Sequence, residues 1–408
     1  MTMRRVRLLA VLWIGGILAQ PVLALGTPAD SPRAAPADSS LQEQVRTLDQ
    51  KVRVLERLRE LDQEAAAAKA KADPPPVVKP AGKEPKLTVG GLVQAQGEFG
   101  DAGDSRFAKN DRFLLRRARI NAQGGFLEGF DFRVELDLGG SSAGLRAQLT
   151  DGYAAWTGSK IVSIRFGQFK TPFGYEQLFS DPALLIIERS LANDRLTLSR
   201  QLGLQISATS LDRRLSAAAG VFNGNGVNNG LNDNEKFLFV GRVTAVPVQA
   251  KRSDQEVRWS LGAGAYTTQG SSLTLNDFGF RGNAFSGKRS GLGLDTQVRF
   301  GLFDLWAEYL RAQFKPVDSI PSAKLISEGG YVQGSYFLVP KKFQGVVRYE
   351  LFDPNRDLGG NSTKTWLLGL NYFFKGDDLK LQLDYQRSNA SGLSSRENKL
   401  FTRLQVVF

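Results

Sequence analysis

The most constraining feature of this chain is a period of two that begins at Leu87 and runs to the last residue. Phe130, Phe132, Val134, Leu136 and Leu138 are interleaved with Asp131, Arg133, Glu135 and Asp137. Leu379, Leu381, Leu383 and Tyr385 are interleaved with Lys380, Gln382, Asp384 and Gln386. Strict alternation of apolar and polar side chains is the mark of a strand with two different environments on its faces. About sixteen such segments recur, each near the roughly 9–11 residues that a tilted strand needs to cross a bilayer. No apolar run long enough for a transmembrane helix, about 18 residues, follows the N-terminal segment. A sheet can span lipid only if it closes on itself, because an open edge would leave its backbone groups unpaired. The expected fold is therefore all-β, a transmembrane antiparallel β-barrel of about 16 strands with apolar side chains out and polar ones in.

The connections point the same way. Gly125–Gly129, Thr157–Lys160, Ser210–Arg213, Val339–Lys342 and Lys375–Asp377 are short. Asp101–Asp111, Lys170–Ser199, Asn223–Glu235, Gln269–Lys288, Lys315–Ile326 and Asp353–Ser362 are long. Short periplasmic turns alternating with long outer loops produce this rhythm, and a soluble sandwich or propeller does not. Trp156, Trp259, Trp366, Tyr372, Phe373 and Phe374 fall near strand ends, as girdle aromatics do. The chain finishes Leu404-Gln405-Val406-Val407-Phe408, a closing strand with a terminal aromatic.

Ahead of the barrel the pattern changes several times. Residues 1–26 read as a signal peptide, with Arg4, Arg5 and Arg7 before an apolar core over Leu8–Ala19. Residues 27–40 are rich in Ala, Pro, Asp and Ser and are expected to be disordered. Leu41, Val45, Leu48, Val52 and Leu55 recur at spacings of four and three, which predicts a coiled-coil helix over 41–72 in the periplasm. A short isolated helix is marginal in water, so the seam argues for an oligomer, a homotrimer. Residues 73–86 form a Pro/Lys-rich linker, and the barrel domain takes 87–408.

Composition narrows the chemistry. The 53 Lys+Arg against 41 Asp+Glu leave a net charge of +12, which by itself suits nucleic acid, an anionic membrane or an anionic solute. In a barrel the bore is the place for that charge, so no nucleic-acid partner is expected. Histidine and cysteine are both absent. Their absence removes the common general base, the thiol nucleophile and the usual zinc ligands, so no enzyme, catalytic residue, cofactor or metal is expected.

Two features then stand out inside the barrel domain. The connection after Val162-Ser163-Ile164-Arg165-Phe166 runs for roughly 30 residues, far beyond ordinary loop lengths. It carries Leu184, Leu185, Ile186, Ile187 and Leu191, too apolar for a free surface loop. It is expected to fold into the bore with Lys170, Glu176, Asp181, Glu188, Arg189 and Arg195 as its polar face. Alternation also turns Arg117, Arg119, Arg133, Arg165, Arg242, Arg258, Arg299, Arg348 and Arg403 inward. Arginine suits oxyanions because its planar fork offers paired donors and stays charged. By the same rule Asp131, Glu135, Asp137, Asp295, Glu308, Glu350 and Asp384 point inward and can pair with those arginines.

Several blocks resemble the phosphate-selective porins O and P. They are Phe113–Arg119 (FLLRRAR), Ile164–Gly174 (IRFGQFKTPFG), Glu188–Asn193 (ERSLAN), Gly241-Arg242-Val243, Gly330–Phe337 (GYVQGSYF), Arg348-Tyr349-Glu350 and Gly369–Phe373 (GLNYF). The resemblance implies a trimeric, 16-stranded channel of the bacterial outer membrane whose third outer loop narrows the pore. It places the pair Arg116-Arg117 at the constriction, with Lys170 and Arg189 from the loop. Strict alternation would face Arg116 outward, where a charge at mid-bilayer costs about 2–4 kcal/mol, so an inward bulge is expected there. The candidate anion-binding residues are Arg116, Arg117, Arg119, Arg165, Lys170, Arg189 and Arg242. The expected solutes are inorganic anions, phosphate or polyphosphate. Outer-membrane lipid and lipopolysaccharide are the expected surroundings. A general or mixed-solute diffusion porin stays open, as does a non-transporting envelope anchor or adhesin.

Overall fold

The computed structural model describes residues 46–47, 49–51 and 86–408, except 108, 142–143, 146, 253–254, 274, 276–277, 279–284, 317–323 and 391–395. Arg46, Thr47, Asp49, Gln50 and Lys51 are helical and exposed. The expected signal peptide, the expected disordered segment, residues 73–85 of the expected linker and the seam residues Leu41, Val45, Leu48, Val52 and Leu55 lie outside the described residues, while Lys86, given to the linker, opens the first strand.

Sixteen strands close into one antiparallel barrel, each paired with its neighbours in sequence. They are β1 (Lys86–Gly100), β2 (Arg112–Leu127), β3 (Phe130–Asp137), β6 (Gln148–Trp156), β7 (Val162–Lys170), β8 (Arg200–Thr209), β9 (Leu215–Phe222) and β10 (Leu238–Arg252). The circuit continues through β11 (Gln255–Leu273), β12 (Phe285–Phe300), β13 (Phe303–Pro316), β14 (Leu325–Val339), β15 (Phe343–Asp353), β16 (Thr363–Lys375), β17 (Leu379–Ala390) and β18 (Glu397–Val407). The two-residue strands β4 (Gly140–Ser141) and β5 (Gly144–Leu145) make a separate ribbon between β3 and β6.

Closure removes the edges that lipid would not tolerate. β1 pairs with β18 from Leu92↔Val407 to Gly100↔Lys399. The terminal residue extends this seam: Gly91 N donates to Phe408 O at 2.7 Å and Phe408 N to Gly91 O at 3.1 Å. Eight long connections (101–111, 138–147, 171–199, 223–237, 274–284, 317–324, 354–362 and 391–396) leave one end of the barrel, and seven short ones the other. The longest of them, 171–199, is the third of the eight.

Outside, the alternation holds. Ile164 and Phe166 on β7, Leu381 and Leu383 on β17, and Trp366, Tyr372 and Phe374 on β16 are all exposed. Phe373 departs from its expected place in the aromatic girdle. Period two puts it inward between Tyr372 and Phe374, buried against Phe337 at a ring separation of 5.6 Å.

Inside, the expectation of a uniformly polar face is corrected. Phe169, Phe222, Leu238, Val240, Leu310, Phe314 and Phe352 point inward and are buried together with Leu191 and Leu196 of the long loop. Ile186 packs on Val346 and Leu367. Much of the bore is thus filled by an apolar core that the loop shares with the wall. Burying several such side chains contributes about 1.5–3 kcal/mol each.

Candidate functional site

The β7 ladder stops where the sequence says it must. Thr171 N still donates to Ser199 O at 3.0 Å, but Pro172 has no N–H to give, and Phe173 N turns back to Thr171 O at 2.8 Å. Gly174 follows at φ +83, and a Cβ there would sit 2.5 Å from Cγ2 of Thr197. Glycine therefore lets the two ends of the loop meet. Ser190 caps the short helix Leu191–Leu196 by accepting from Asn193 N at 3.1 Å.

Carboxylates on the wall hold the loop by its backbone. Glu308 accepts from Tyr175 N at 2.6 Å and Glu176 N at 3.2 Å, Glu350 from Leu191 N at 3.1 Å, and Asp384 from Ile187 N at 2.5 Å. Loop carbonyls are met by wall cations: Lys380 Nζ reaches Leu184 O at 2.9 Å, and Arg403 Nη1 reaches Ile187 O at 2.5 Å. Glu176 is corrected from a pore-facing residue to an anchor. It is fully buried, pairs with Arg348 and accepts from Ser190 N at 2.8 Å.

Two loop carboxylates organise the arginines. Glu188 accepts from Arg116 Nε at 2.8 Å and from Arg403 Nη2 at 2.7 Å. Asp181 meets Arg189 Nη1 at 2.6 Å, Arg119 Nη1 at 2.5 Å and Arg117 Nη2 at 3.4 Å. Burial alone would push the Asp181 carboxyl up, but Arg117, Arg189 and Arg119 outweigh it and hold it well below the usual carboxylate range. Glu188 behaves alike: burial opposes its charge, and Arg116, Arg403 and Arg117 hold it far down.

Arg116 reaches this cluster through the expected bulge. Gln94 pairs with Arg117 and Ala95 with Leu115, so Arg116 is the unpaired extra residue of β2. Both members of the pair then face inward, with Arg117 Nη1 on Gln94 Oε1 at 2.8 Å.

The space left beside the loop forms two cavities in series along β2, β3, β6 and β7. The outer one, 580 Å³, is lined by eight arginines, among them Arg106, Arg112, Arg116 and Arg117, against five carboxylates. The inner one, 430 Å³, has Arg119, Arg133, Arg165, Lys170 and Arg200 against Glu135, Asp151 and Asp181. Arg119, Asp181 and Arg200 line both and so mark the narrowing between them. Both cavities carry an excess of positive charge.

The candidate residues divide accordingly. Arg116, Arg117, Arg119 and Arg189 stand together around the loop carboxylates. Lys170 and Arg165 lie in the inner cavity; Lys170 Nζ donates to Phe179 O at 2.6 Å, and Arg165 stacks on Tyr153 at 4.5 Å. Arg242 is not brought to the narrowing. It forms a two-pronged pair with Asp295 at 2.7 and 2.8 Å and lines neither cavity. Sequence reasoning missed Arg106, Arg112 and Arg200. Arg106 sits in an outer loop where no period exists to read. Arg200 begins β8 before the alternation of Leu204 and Ile206 has started, and turns in to Asp151 at 2.8 Å.

Comparison with known proteins agrees with this architecture. The family model for phosphate-selective porin O and P matches residues 89–408. Porin O of Pseudomonas aeruginosa is 25% identical over 402 residues, covering 80% of this chain and 89% of that one. Among solved structures, the anion-selective porin from Comamonas acidovorans aligns with a TM-score of 0.58 at 12% identity, over 80% of this chain and 100% of that one. The trimer form of OmpT from Vibrio cholerae aligns with a TM-score of 0.58 at 10% identity, over 79% of this chain and 99% of that one.

Proposed function

The chain belongs to the phosphate-selective porin O and P family, and from that premise we propose that it is an outer-membrane channel for small anions with phosphate or polyphosphate as preferred solutes. The observation that carries this reading is the run of guanidinium groups through both cavities, with Arg119 and Arg200 at the narrowing. An anion leaving water needs replacement donors and opposite charge, and rings of arginine supply both. Arg116, Arg117, Arg119 and Arg189 act as the filter, with Arg165 and Lys170 receiving the ion on the inner side. Glu188 and Asp181 position those arginines and lower the net field, so the channel prefers anions without excluding cations. That pairing is the observation favouring the mixed-solute reading, and the two differ in degree. The working unit is a homotrimer, as in the trimer form of the Vibrio protein, with the 41–72 segment in the periplasm.

Planar-bilayer recording tests the filter. Arg117→Ala with Arg189→Ala is expected to shift the reversal potential in a salt gradient toward cations and to weaken block of chloride current by phosphate about tenfold, the scale of one lost charge-assisted contact. Lys315→Ala, on the exposed outer end of β13, should change neither, since salt screens charges beyond about 8–10 Å. Identical reversal potentials in wild type and double variant would place selectivity elsewhere.

A further inference from the structure

On the outer wall, near the long-loop end of β13 to β17, lies a cluster of charge that the bore does not use. Arg311 on β13 faces Glu328 on β14, and Glu328 faces Asp353 on β15. On β16, Lys364 lies across from Leu351, and Trp366 pairs with Arg387 on β17. These positions share the parity of the exposed Tyr309, Val332, Leu351 and Trp366, so they belong to the lipid-facing side. Lys364, Arg387 and the loop residue Arg356 are exposed, and Arg311 is half-buried. Among the described residues, Arg311, Lys364 and Arg387 have no carboxylate within ion-pair distance. Arg356 approaches Glu328 only at 3.8 Å, and Tyr309 Oη already donates to Glu328 at 2.8 Å.

Directly below this basic rim is an apolar groove of 710 Å³ with Leu294, Tyr309, Val332, Tyr349 and Leu351 as its sides and Gly330 in its floor. A Cβ at Gly330 would fall 2.3 Å from the Glu308 carbonyl, so glycine keeps the floor flat. Glu328, Asp353 and Lys364 stand at its head. Unpaired cations on a lipid face are costly at mid-bilayer and tolerable only at the interface. Here they stand above a 710 Å³ apolar groove, toward the long-loop end of the strands.

We infer that this face is a binding site for the phosphorylated, acylated headgroup of lipopolysaccharide. Arg311, Lys364 and Arg387 take the phosphates and the Gly330 groove takes an acyl chain. Strands lie about 4.8 Å apart, so the three cations spread across several strand widths and suit a headgroup with separated phosphates better than a single phosphodiester. Arginine and lysine also meet phosphate as charge-assisted donors. The inference rests on the outer-membrane reading above and adds the wall residues that would hold the lipopolysaccharide expected around the barrel.

Native mass spectrometry of the full-length protein, delipidated in detergent, tests it. The probes are lipid A, enzymatically dephosphorylated lipid A and dioleoyl phosphatidylglycerol. Wild type should hold lipid A about tenfold or more tightly than either comparison lipid, and Arg311→Ala with Lys364→Ala should lose that advantage, the scale of one lost charged contact. Val332→Trp, which fills the groove from its side, should weaken lipid A and its dephosphorylated form alike. Both variants should keep the heat-modifiable migration of a folded barrel and wild-type conductance, which separates loss of the site from loss of the fold. Equal binding of phosphatidylglycerol and lipid A, or unchanged lipid A binding in both variants, overturns the inference. Cell fractionation that finds the protein outside the outer membrane would overturn the reading beneath it instead, whatever the lipids do.

Discussion

Arg116 and Arg117 point into the bore together because one extra residue interrupts the β2 ladder, and that bulge shows how far single residues can be read. Alternation alone sends Arg116 into lipid, and the cost of a bare charge there is what makes the bulge foreseeable. The partner that receives it, Glu188, was legible only as part of a polar loop face. Nothing local in the sequence says that its carboxylate would lie between Arg116 on β2, 72 positions away, and Arg403 on β18, 215 positions away. Removing one side of a buried pair leaves the other uncompensated, at a cost of about 3–5 kcal/mol. Glu188→Gln should accordingly loosen the loop at this point, with anion preference rising as two arginines lose a counter-charge. Single-channel records should show noisier openings together with a larger chloride-over-potassium ratio. A quiet channel with wild-type selectivity would mean that Glu188 is not the organiser of the pair.

The long loop is the element in which sequence and structure part most instructively. Its inward course was readable from Leu184, Leu185, Ile186, Ile187 and Leu191, which have no place on a solvated surface. What they pack against was not, since the wall was expected to be polar on its inner face. Inward Phe314, Leu310 and Phe352 obey the period of two but not the rule of polarity, because loop and wall bury one another and no lipid is involved. Several inward carboxylates have the same explanation: Glu308, Glu350 and Asp384 serve the loop backbone and not a transverse field. Seating therefore depends on the neck at Gly174, where φ is +83 and Thr197 leaves no room for a side chain. Gly174→Val imposes a conformation that costs a β-branched residue at least about 1–2 kcal/mol, plus the clash. The variant should still migrate as a heat-modifiable barrel, yet conduct more and select less. Unaltered conductance in a folded Gly174→Val channel would show that the loop does not gate the bore.

For the whole molecule the question is over what range of pH this arrangement of loop and wall stays closed. Glu188 and Asp181 are the loop carboxylates at its centre. They face Arg116, Arg117 and Arg119 on β2, Arg403 on β18, Gln96 on β1, and Arg189 on the loop itself. Both carboxyls are depressed in the folded protein, against the push of their own burial. A carboxylate whose folded value lies below its unfolded one contributes its full stabilisation above the unfolded value, about 4.3 for Glu and 3.9 for Asp. That contribution is lost only as pH falls through the folded value. The direct ion-pair partners of these two carboxylates are all arginines, which stay protonated at any pH of interest. Conductance and reversal potential should thus stay level from about pH 8 to about pH 5 as far as this cluster governs them. Loosening should begin only below about pH 4, where the unfolded carboxylates take up protons and the folded ones resist. Glu188→Gln removes one of the two groups and should flatten the acid limb. Records at pH 7, 5 and 3, chosen on those reference values, separate the outcomes. A transition centred near neutrality that survives in Glu188→Gln would show that other groups hold the loop, and that the arginine cluster is a lining and not the clasp.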